Sequence, residues 1–423
     1  MKFKSITGTK DLLPGESYRW HYVEEKFHKL ARRYNFREIR TPVFEHTELF
    51  ARGIGELTDI VGKEMYTFED RSGNSLTLKP EMTAAVVRAY LQHNLGQQQP
   101  VSKLYYLAPM FRQERPQKGR LRQFHQFGLE IIGTPGALAD AEIIVMTADY
   151  YAELGITNVK LKINSVGCEK CRPGYKEKLK EFLRPKLSDL SEDSRRRFET
   201  NPLRIIDSKD ERDRELTEKA PLQKDHLCNE CNEHFTHLQD ILREADVEYA
   251  VDGKIVRGLD YYTKTAFEFI SSALGSQDAL SGGGRYDLLA RELGGKNVPA
   301  VGVAGGIERL LLVLEESENA AVEEPHPAVY LAAADDAARI WLYGITQQLR
   351  RNNIPCETDL MLRSLKAQMR EASRQNAAYT VIAGAEERNK NEVVLKDMKA
   401  GDQQNVPVDE LVHTLQKQLP ESN

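Results

Sequence analysis

The stretch 103–132 constrains this chain more than any other, because it reads as strand, loop and return strand with a charged turn between them. Lys103-Leu-Tyr-Tyr-Leu-Ala-Pro-Met-Phe-Arg112 is the outgoing strand, and Arg122-Gln-Phe-His-Gln-Phe-Gly-Leu-Glu130 is the return. Side chains on a strand alternate between its faces. One face of the return strand therefore presents Gln126, Gly128 and Glu130, and the other His125, Phe127, Leu129 and Ile131. A glycine between two polar groups leaves room for a small ligand to lie against the sheet. The loop sets Arg112, Arg115, Lys118, Arg120 and Arg122 against one acid, Glu114. Such a cluster suits phosphates or an RNA end. Taken alone, the same pattern also fits a solvated basic hairpin over a structural polar strand.

The rest of the chain supplies a frame for this hairpin. After a Pro14-Gly15 turn, Trp20, Val23, Phe27, Leu30 and Tyr34 recur at spacings of three and four, which predicts an amphipathic helix. Short β-type runs are expected at 38–41, 76–78, 103–107 and 124–132. From about 168 to 242 the sequence is rich in Lys, Arg, Glu and Asp with sparse apolar residues at helical spacing, and reads as a helical insertion. Glycines and β-type sequence return at 255–306, and the acidic, Pro-containing stretch 315–327 reads as a linker. Beyond it, a strand at 328–333, a helix at 337–350 and a strand at 379–383 suggest a small α/β domain. Strands before the linker do not alternate strictly with helices, so the first sheet is expected to be antiparallel or mixed.

Bulk properties exclude several function classes. A length of 423 residues suits two or three domains, and a formal charge of −5 argues against a wholly basic nucleic-acid coat. The first ten residues lack the apolar core of a signal peptide, and the most apolar stretch, 301–314, is too short to span a bilayer and carries Glu308 and Arg309. A cytoplasmic location with no membrane partner is the expectation. No G-x-x-x-x-G-K-[ST] or G-x-G-x-x-G nucleotide loop is present, nor any H-E-x-x-H zinc motif. Four of the five cysteines form two C-x-x-C pairs, Cys168 with Cys171 and Cys228 with Cys231.

The spaced motifs together resemble one family. Arg112-Gln-Glu114-Arg with Gly128-Leu-Glu130, in about 103–132, resembles motif 2 of the class II aminoacyl-tRNA synthetases. Gly302-Val-Ala-Gly-Gly-Ile-Glu308-Arg309, in about 301–314, resembles motif 3, and the first helix with Thr41-Pro42, in about 16–45, resembles motif 1. Arg257-Gly-Leu-Asp-Tyr-Tyr262 and Gly283-Gly-Arg-Tyr286-Asp are similar to the two signatures of the histidyl-tRNA synthetases, as are Thr58-Asp-Ile-Val, the segment 63–69 and Pro80-Glu81-Met-Thr83. Met82 stands where many bacterial members have glycine.

That resemblance implies an α+β fold: a six- to seven-stranded antiparallel class II sheet flanked by helices, spanning 1–325 with the helical insertion inside it. An α/β anticodon-binding domain over 326–423 follows. It implies activation of L-histidine with ATP and Mg²⁺, transfer to the tRNA for histidine, and a homodimer. Carried over residue by residue, Arg112 holds the ATP α-phosphate and the substrate carboxylate, with Arg120 in the ATP set. Glu114 contacts adenine and Arg309 the γ-phosphate. Glu81, Thr83 and Gln126 bind the α-amino end of histidine. Glu130 and Tyr262 bind the imidazole, Tyr286 closes the pocket with Tyr261 beside it, and Arg257 is the catalytic cation. The residue types suit the chemistry: attack on a phosphate builds negative charge that fixed guanidiniums stabilise, and an imidazole needs a partner for each of its two nitrogens.

Two rivals are a synthetase-like regulatory subunit and a class II synthetase for another amino acid; the intact histidine signatures and the residues beyond the linker argue against both. The cysteine pairs leave three readings open. They could bind one structural Zn²⁺, since two such knuckles complete a tetrahedral thiolate site. They could equally be reduced thiols or, least in keeping with a reducing compartment, a disulfide. Against zinc, 56 residues separate the pairs, and His226, His234 and His237 lie nearby as alternative ligands.

Overall fold

Helix Pro14–Arg33 buries Trp20, Val23, Phe27 and Leu30 along one stripe, as their spacing predicts. The expected Pro14-Gly15 turn is instead its first turn, where a fixed φ and a missing N–H are no handicap. The structure, a computed structural model, describes residues 3–55, 58, 60–208, 210–256, 261–275, 278–317 and 322–419. The chain divides into two compact units, Met1–Val322 and Glu323–Asn423.

The first unit is built on an eight-stranded sheet in the spatial order Arg37–Glu38, Ser102–Phe111, Gln123–Ile132, Ala300–Gly306, Ala279–Arg285, Thr263–Ser271, Val159–Ser165, Ala250–Val251. The six central strands pair antiparallel, and the two-residue edge strands pair parallel. The sheet is thus wider than the expected six or seven strands, by short edges of a kind that limits edge-to-edge association. The strand expected at 38–41 pairs only through Arg37 and Glu38.

Each face of this sheet carries its own core. Phe127, Leu129 and Ile131 of the return strand pack with Phe27, Tyr150, Phe267 and Leu310 beneath helices Pro14–Arg33, Ala137–Glu153 and Ile307–Glu315. On the opposite face, Tyr106, Tyr261, Tyr262 and Tyr286 cluster with Met82, Val86 and Tyr90 at helix Thr83–Gln92. The hairpin register sets Glu130 opposite Leu104 and Gly302, and Gly128 opposite Tyr106 and Ala304. Between Val159–Ser165 and Thr263–Ser271 lie the helices Arg172–Leu183, Glu192–Thr200, Leu203–Ile206, Glu211–Leu216 and Asn229–Glu244. A small core of Tyr175, Leu179, Leu183, Phe198, Ile205 and their neighbours sits among them. Buried Asp213 supplements it by accepting from the hydroxyls of Ser191, Ser194 and Ser208.

The second unit is a five-stranded sheet in the order Cys356–Thr358, Val329–Ala333, Tyr379–Ala383, Glu392–Asp397, Gln403–Pro407, the first three strands parallel and the rest antiparallel. Helix Asp336–Arg351 follows its buried strand, capped by Asp335, whose carboxylate accepts from Ala338 N at 2.8 Å.

Candidate active site

The tyrosine-lined face opens into a cavity of about 240 Å³ lined by Glu81, Thr83, Tyr106, Arg112, Glu114, Arg120, Gln126, Tyr261, Tyr262, Tyr286 and Arg309. These side chains come from a helix start, both hairpin strands and their loop, two further strand ends and helix Ile307–Glu315. Every candidate pocket residue named from the sequence lines the cavity except two. Glu130 lies behind its wall, and Arg257, with residues 258–260, is outside the described residues. Asp59 of the Thr58-Asp-Ile-Val segment is also outside them.

One end of the cavity is acidic and aromatic. Glu81 is buried, and its carboxylate accepts from the backbone N–H groups of Thr83 at 2.8 Å and Ala84 at 2.9 Å, closing the first turn of helix Thr83–Gln92. Burial pushes Glu81 above the ordinary carboxyl range, against the pull of those two N–H groups. Glu130 has no exposed surface and accepts from Thr83 Oγ1 at 2.8 Å and from the hydroxyl of Tyr286. Its burial raises the carboxyl to about 8, although both hydroxyls oppose the shift. Gly302 is what lets that carboxyl fit, since a Cβ there would lie 1.7 Å from Glu130 Oε2. The room at Gly128 serves a different purpose from the one expected. A Cβ on it would lie 2.2 Å from the ring of Tyr106, so buried Tyr106, not a ligand, occupies the gap between Gln126 and Glu130.

The other end is cationic. Arg112 donates from Nε to Pro80 O at 2.9 Å and lies over the ring of Phe124, 5.3 Å from its centroid. Burial lowers its guanidinium below the usual value, the cost of holding a cation poised for an anion in a cavity wall. Arg309 is lowered in the same way, first by burial and then by Arg120 nearby. Arg120 donates to Glu114 at 3.0 Å, and the loop closes through paired Gln117 and Arg120. Arg115 and Lys118 do not line the cavity. His125 turns to the apolar face, where its ring meets Trp20 edge-on and bonds to Glu308 at 3.0 Å. A carboxylate and hydroxyl end facing a guanidinium end suits a zwitterion that also bears a proton-donating ring, held beside a polyphosphate.

The four cysteines converge away from this cavity. Their sulfurs all lie within 4.8 Å of one another, with Cys168–Cys171 at 3.9 Å, Cys168–Cys228 at 3.8 Å and Cys171–Cys231 at 3.9 Å. All four are free thiols, which removes the disulfide reading. Two of the three histidines named as alternative ligands, His226 and His234, are engaged elsewhere. His234 bonds to Asp140 and Thr265, and His226 stacks on Tyr175.

Sequence comparison gives this geometry its family. The histidyl-tRNA synthetase family model matches residues 8–310, and an anticodon binding domain model matches residues 329–418. A histidine–tRNA ligase of Caldanaerobacter subterraneus subsp. tengcongensis is 49% identical over 411 residues, covering 97% of this chain and 99% of that relative. The chain belongs to the histidyl-tRNA synthetase family. Another histidine–tRNA ligase, from Desulfitobacterium hafniense, is 48% identical over 422 residues, which are 100% of this chain and 99% of the relative. The structure of apo S. aureus histidyl-tRNA synthetase superposes with a TM-score of 0.83 at 36% identity, covering 98% of this chain and 99% of that one. The enzyme class is that of an aminoacyl-tRNA synthetase, a histidine–tRNA ligase, and the family implies ATP as a substrate and dependence on Mg²⁺.

Sequence reasoning missed two structural supports of this cavity. Tyr106 is one. The other is Arg285, the residue before Tyr286, all five of whose N–H donors are used, on Asp140, Asp287 and the carbonyls of Thr134 and Gly136. Burial alone would raise the Asp140 carboxyl, yet His234 and Arg285 hold it below its ordinary range. Asp140, an acid flanked by alanines in the first turn of helix Ala137–Glu153, was the available signal.

Proposed function

We propose that this histidine–tRNA ligase binds histidine with its imidazole toward Glu130 and Tyr262, its ammonium toward Glu81, Thr83 and Gln126, and its carboxylate toward Arg112. ATP lies beside it with phosphates on Arg112, Arg120 and Arg309 and adenine at Glu114. The ionised carboxylate attacks the α-phosphorus, the bond to the β-phosphate breaks, and pyrophosphate leaves. A terminal ribose hydroxyl of the tRNA then attacks the acyl carbon and releases AMP and a proton. Arg112 and Arg257 stabilise the charge that gathers on the α-phosphate oxygens in the transition state. The observation that carries this reading is the single cavity that unites the buried carboxyl end with the half-buried Arg112 and Arg309. Glu81, Glu114 and Glu308, the cavity's carboxylates, are already engaged by backbone N–H groups, Arg120 and His125 respectively, which fits a cation carried by the ATP phosphates. Carried there by the ATP phosphates, Mg²⁺ would supply positive charge to the departing pyrophosphate.

Residues 1–325 form the adenylating part in this reading and 326–423 the part that reads the tRNA. The chain works in the cytoplasm as a homodimer. Exposed Val43, Phe44 and Phe68, on and beside a three-stranded sheet near the motif 1 segment, offer an apolar face to the second copy. Cys168, Cys171, Cys228 and Cys231 hold one structural zinc. A Zn–S bond of about 2.3 Å in a tetrahedron puts sulfurs about 3.8 Å apart, the spacing of three of the pairs here. The site reading predicts that Glu130→Ala raises the histidine KM about tenfold or more while the ATP KM stays within about twofold. Loss of ATP affinity with histidine affinity retained would mean that the two ends of the cavity have been exchanged.

A further inference from the structure

The strand that presents Tyr262 to the cavity is tied to the cysteine centre from both of its knuckles. Gly167, just before Cys168, has φ +69, and a Cβ there would lie 2.8 Å from Cys171 Sγ, so the first knuckle folds tightly over a glycine. The carbonyl of that glycine accepts from Lys264 N at 2.8 Å, and Val166 N donates to Lys264 O at 2.7 Å. Lys264 itself is held in the left-handed region, φ 51, a conformation that persists in a non-glycine residue only when its surroundings impose it. The second knuckle supplies part of that restraint. Glu230, between Cys228 and Cys231, accepts from Lys264 Nζ at 2.9 Å. Arg172, the residue after Cys171, donates from Nε to Val166 O at 3.2 Å and from Nη2 to Gly167 O at 3.3 Å and to Tyr262 O. The Tyr262 backbone and the residue two positions on are therefore clamped by groups adjacent to three of the four thiols.

We propose that the four-thiolate centre is a positioning device for the amino-acid pocket: with the metal in place, Arg172 and Glu230 hold Tyr262 at the imidazole, and without it histidine affinity falls. This rests on the zinc reading of the cysteines. A bound cation joins the two knuckles directly through their sulfurs, where otherwise the helical segment between them, the exposed Lys170–Glu230 pair and their shared contacts to Lys264 are the ties. Four uncoordinated sulfurs have no such bond, and the knuckles relax with Arg172 and Glu230 attached. The effect is selective. Arg112 and Arg309, on the ATP side, belong to the hairpin and to helix Ile307–Glu315, elements other than the two knuckles.

The full chain, purified without chelator, should carry about one zinc per chain. After chelation, calorimetric titration should show the histidine Kd raised about fivefold or more with the ATP Kd within about twofold, and added zinc should restore the first value. Should the stripped chain unfold, Arg172→Gln decides. It should keep its zinc and its circular dichroism, raise the histidine KM in pyrophosphate exchange about fivefold, and leave kcat within about twofold. Arg172→Lys, which keeps one donor, should recover part of the loss. Less than about 0.2 zinc per chain overturns the metal reading and the coupling together. One zinc per chain with unchanged histidine affinity after its removal, or in Arg172→Gln if the stripped chain unfolds, overturns the coupling alone.

Discussion

Glu130 shows what burial does to one carboxyl. In the folded chain burial raises its pKa to about 8 against an ordinary 4.5, so the buried carboxyl keeps a proton that the unfolded chain releases between those values. The sign follows from linkage: this group favours folding fully below the ordinary value, and that contribution is lost as pH rises through about 8. Glu130→Gln removes the titration. Relative to the variant, the parent chain should therefore lose roughly 2–5 °C of melting temperature between pH 6 and pH 9. A difference that does not move with pH would mean that the folded carboxyl is ionised throughout. The alternation that put Gln126, Gly128 and Glu130 on one face was legible in the sequence, because period two belongs to any strand. That Tyr106 fills the space over Gly128 was not, because cross-strand register decides it, and register is a property of two segments.

Among elements, helix Ala137–Glu153 is pinned to strand Ala279–Arg285 by one buried pair. Asp140 and Arg285 have no exposed surface and are bonded to each other, with His234 joining from helix Asn229–Glu244. Removing the Asp140 charge leaves the buried Arg285 guanidinium with the partly exposed Asp287 as its remaining counter-ion. Asp140→Asn should accordingly cost about 3–5 kcal/mol in urea unfolding, far more than an exposed pair such as Arg52 with Glu48 would. A loss under about 1 kcal/mol would place Asp140 among the dispensable surface pairs. Sequence spacing found the strong elements, helix Pro14–Arg33 and the hairpin, because each carries its own periodicity. It could not find this pair, whose members are separated by 145 positions and meet only once the sheet is assembled.

For the whole molecule, all the residues proposed for adenylation lie in the unit Met1–Val322, and the match to an anticodon binding domain, residues 329–418, lies in the unit Glu323–Asn423. A chain ending near Glu324 should keep pyrophosphate exchange within about tenfold and lose most aminoacylation. Equal loss of both would make the second unit part of the adenylating machinery. The acidic, Pro-containing stretch before residue 328, with fresh strand–helix alternation after it, spans the boundary between the units Met1–Val322 and Glu323–Asn423. The cysteine centre was readable only as a pattern, since its closure depends on how the helical segment returns to the sheet. Above these details stands the proposed joining of an imidazole-reading end and an ATP end in one cavity, and ATP–pyrophosphate exchange measured separately with each of the twenty amino acids reads it directly. Exchange should depend on histidine and be at least about a hundredfold weaker with every other amino acid. Exchange driven by a different amino acid, or none at all with histidine, would contradict the account.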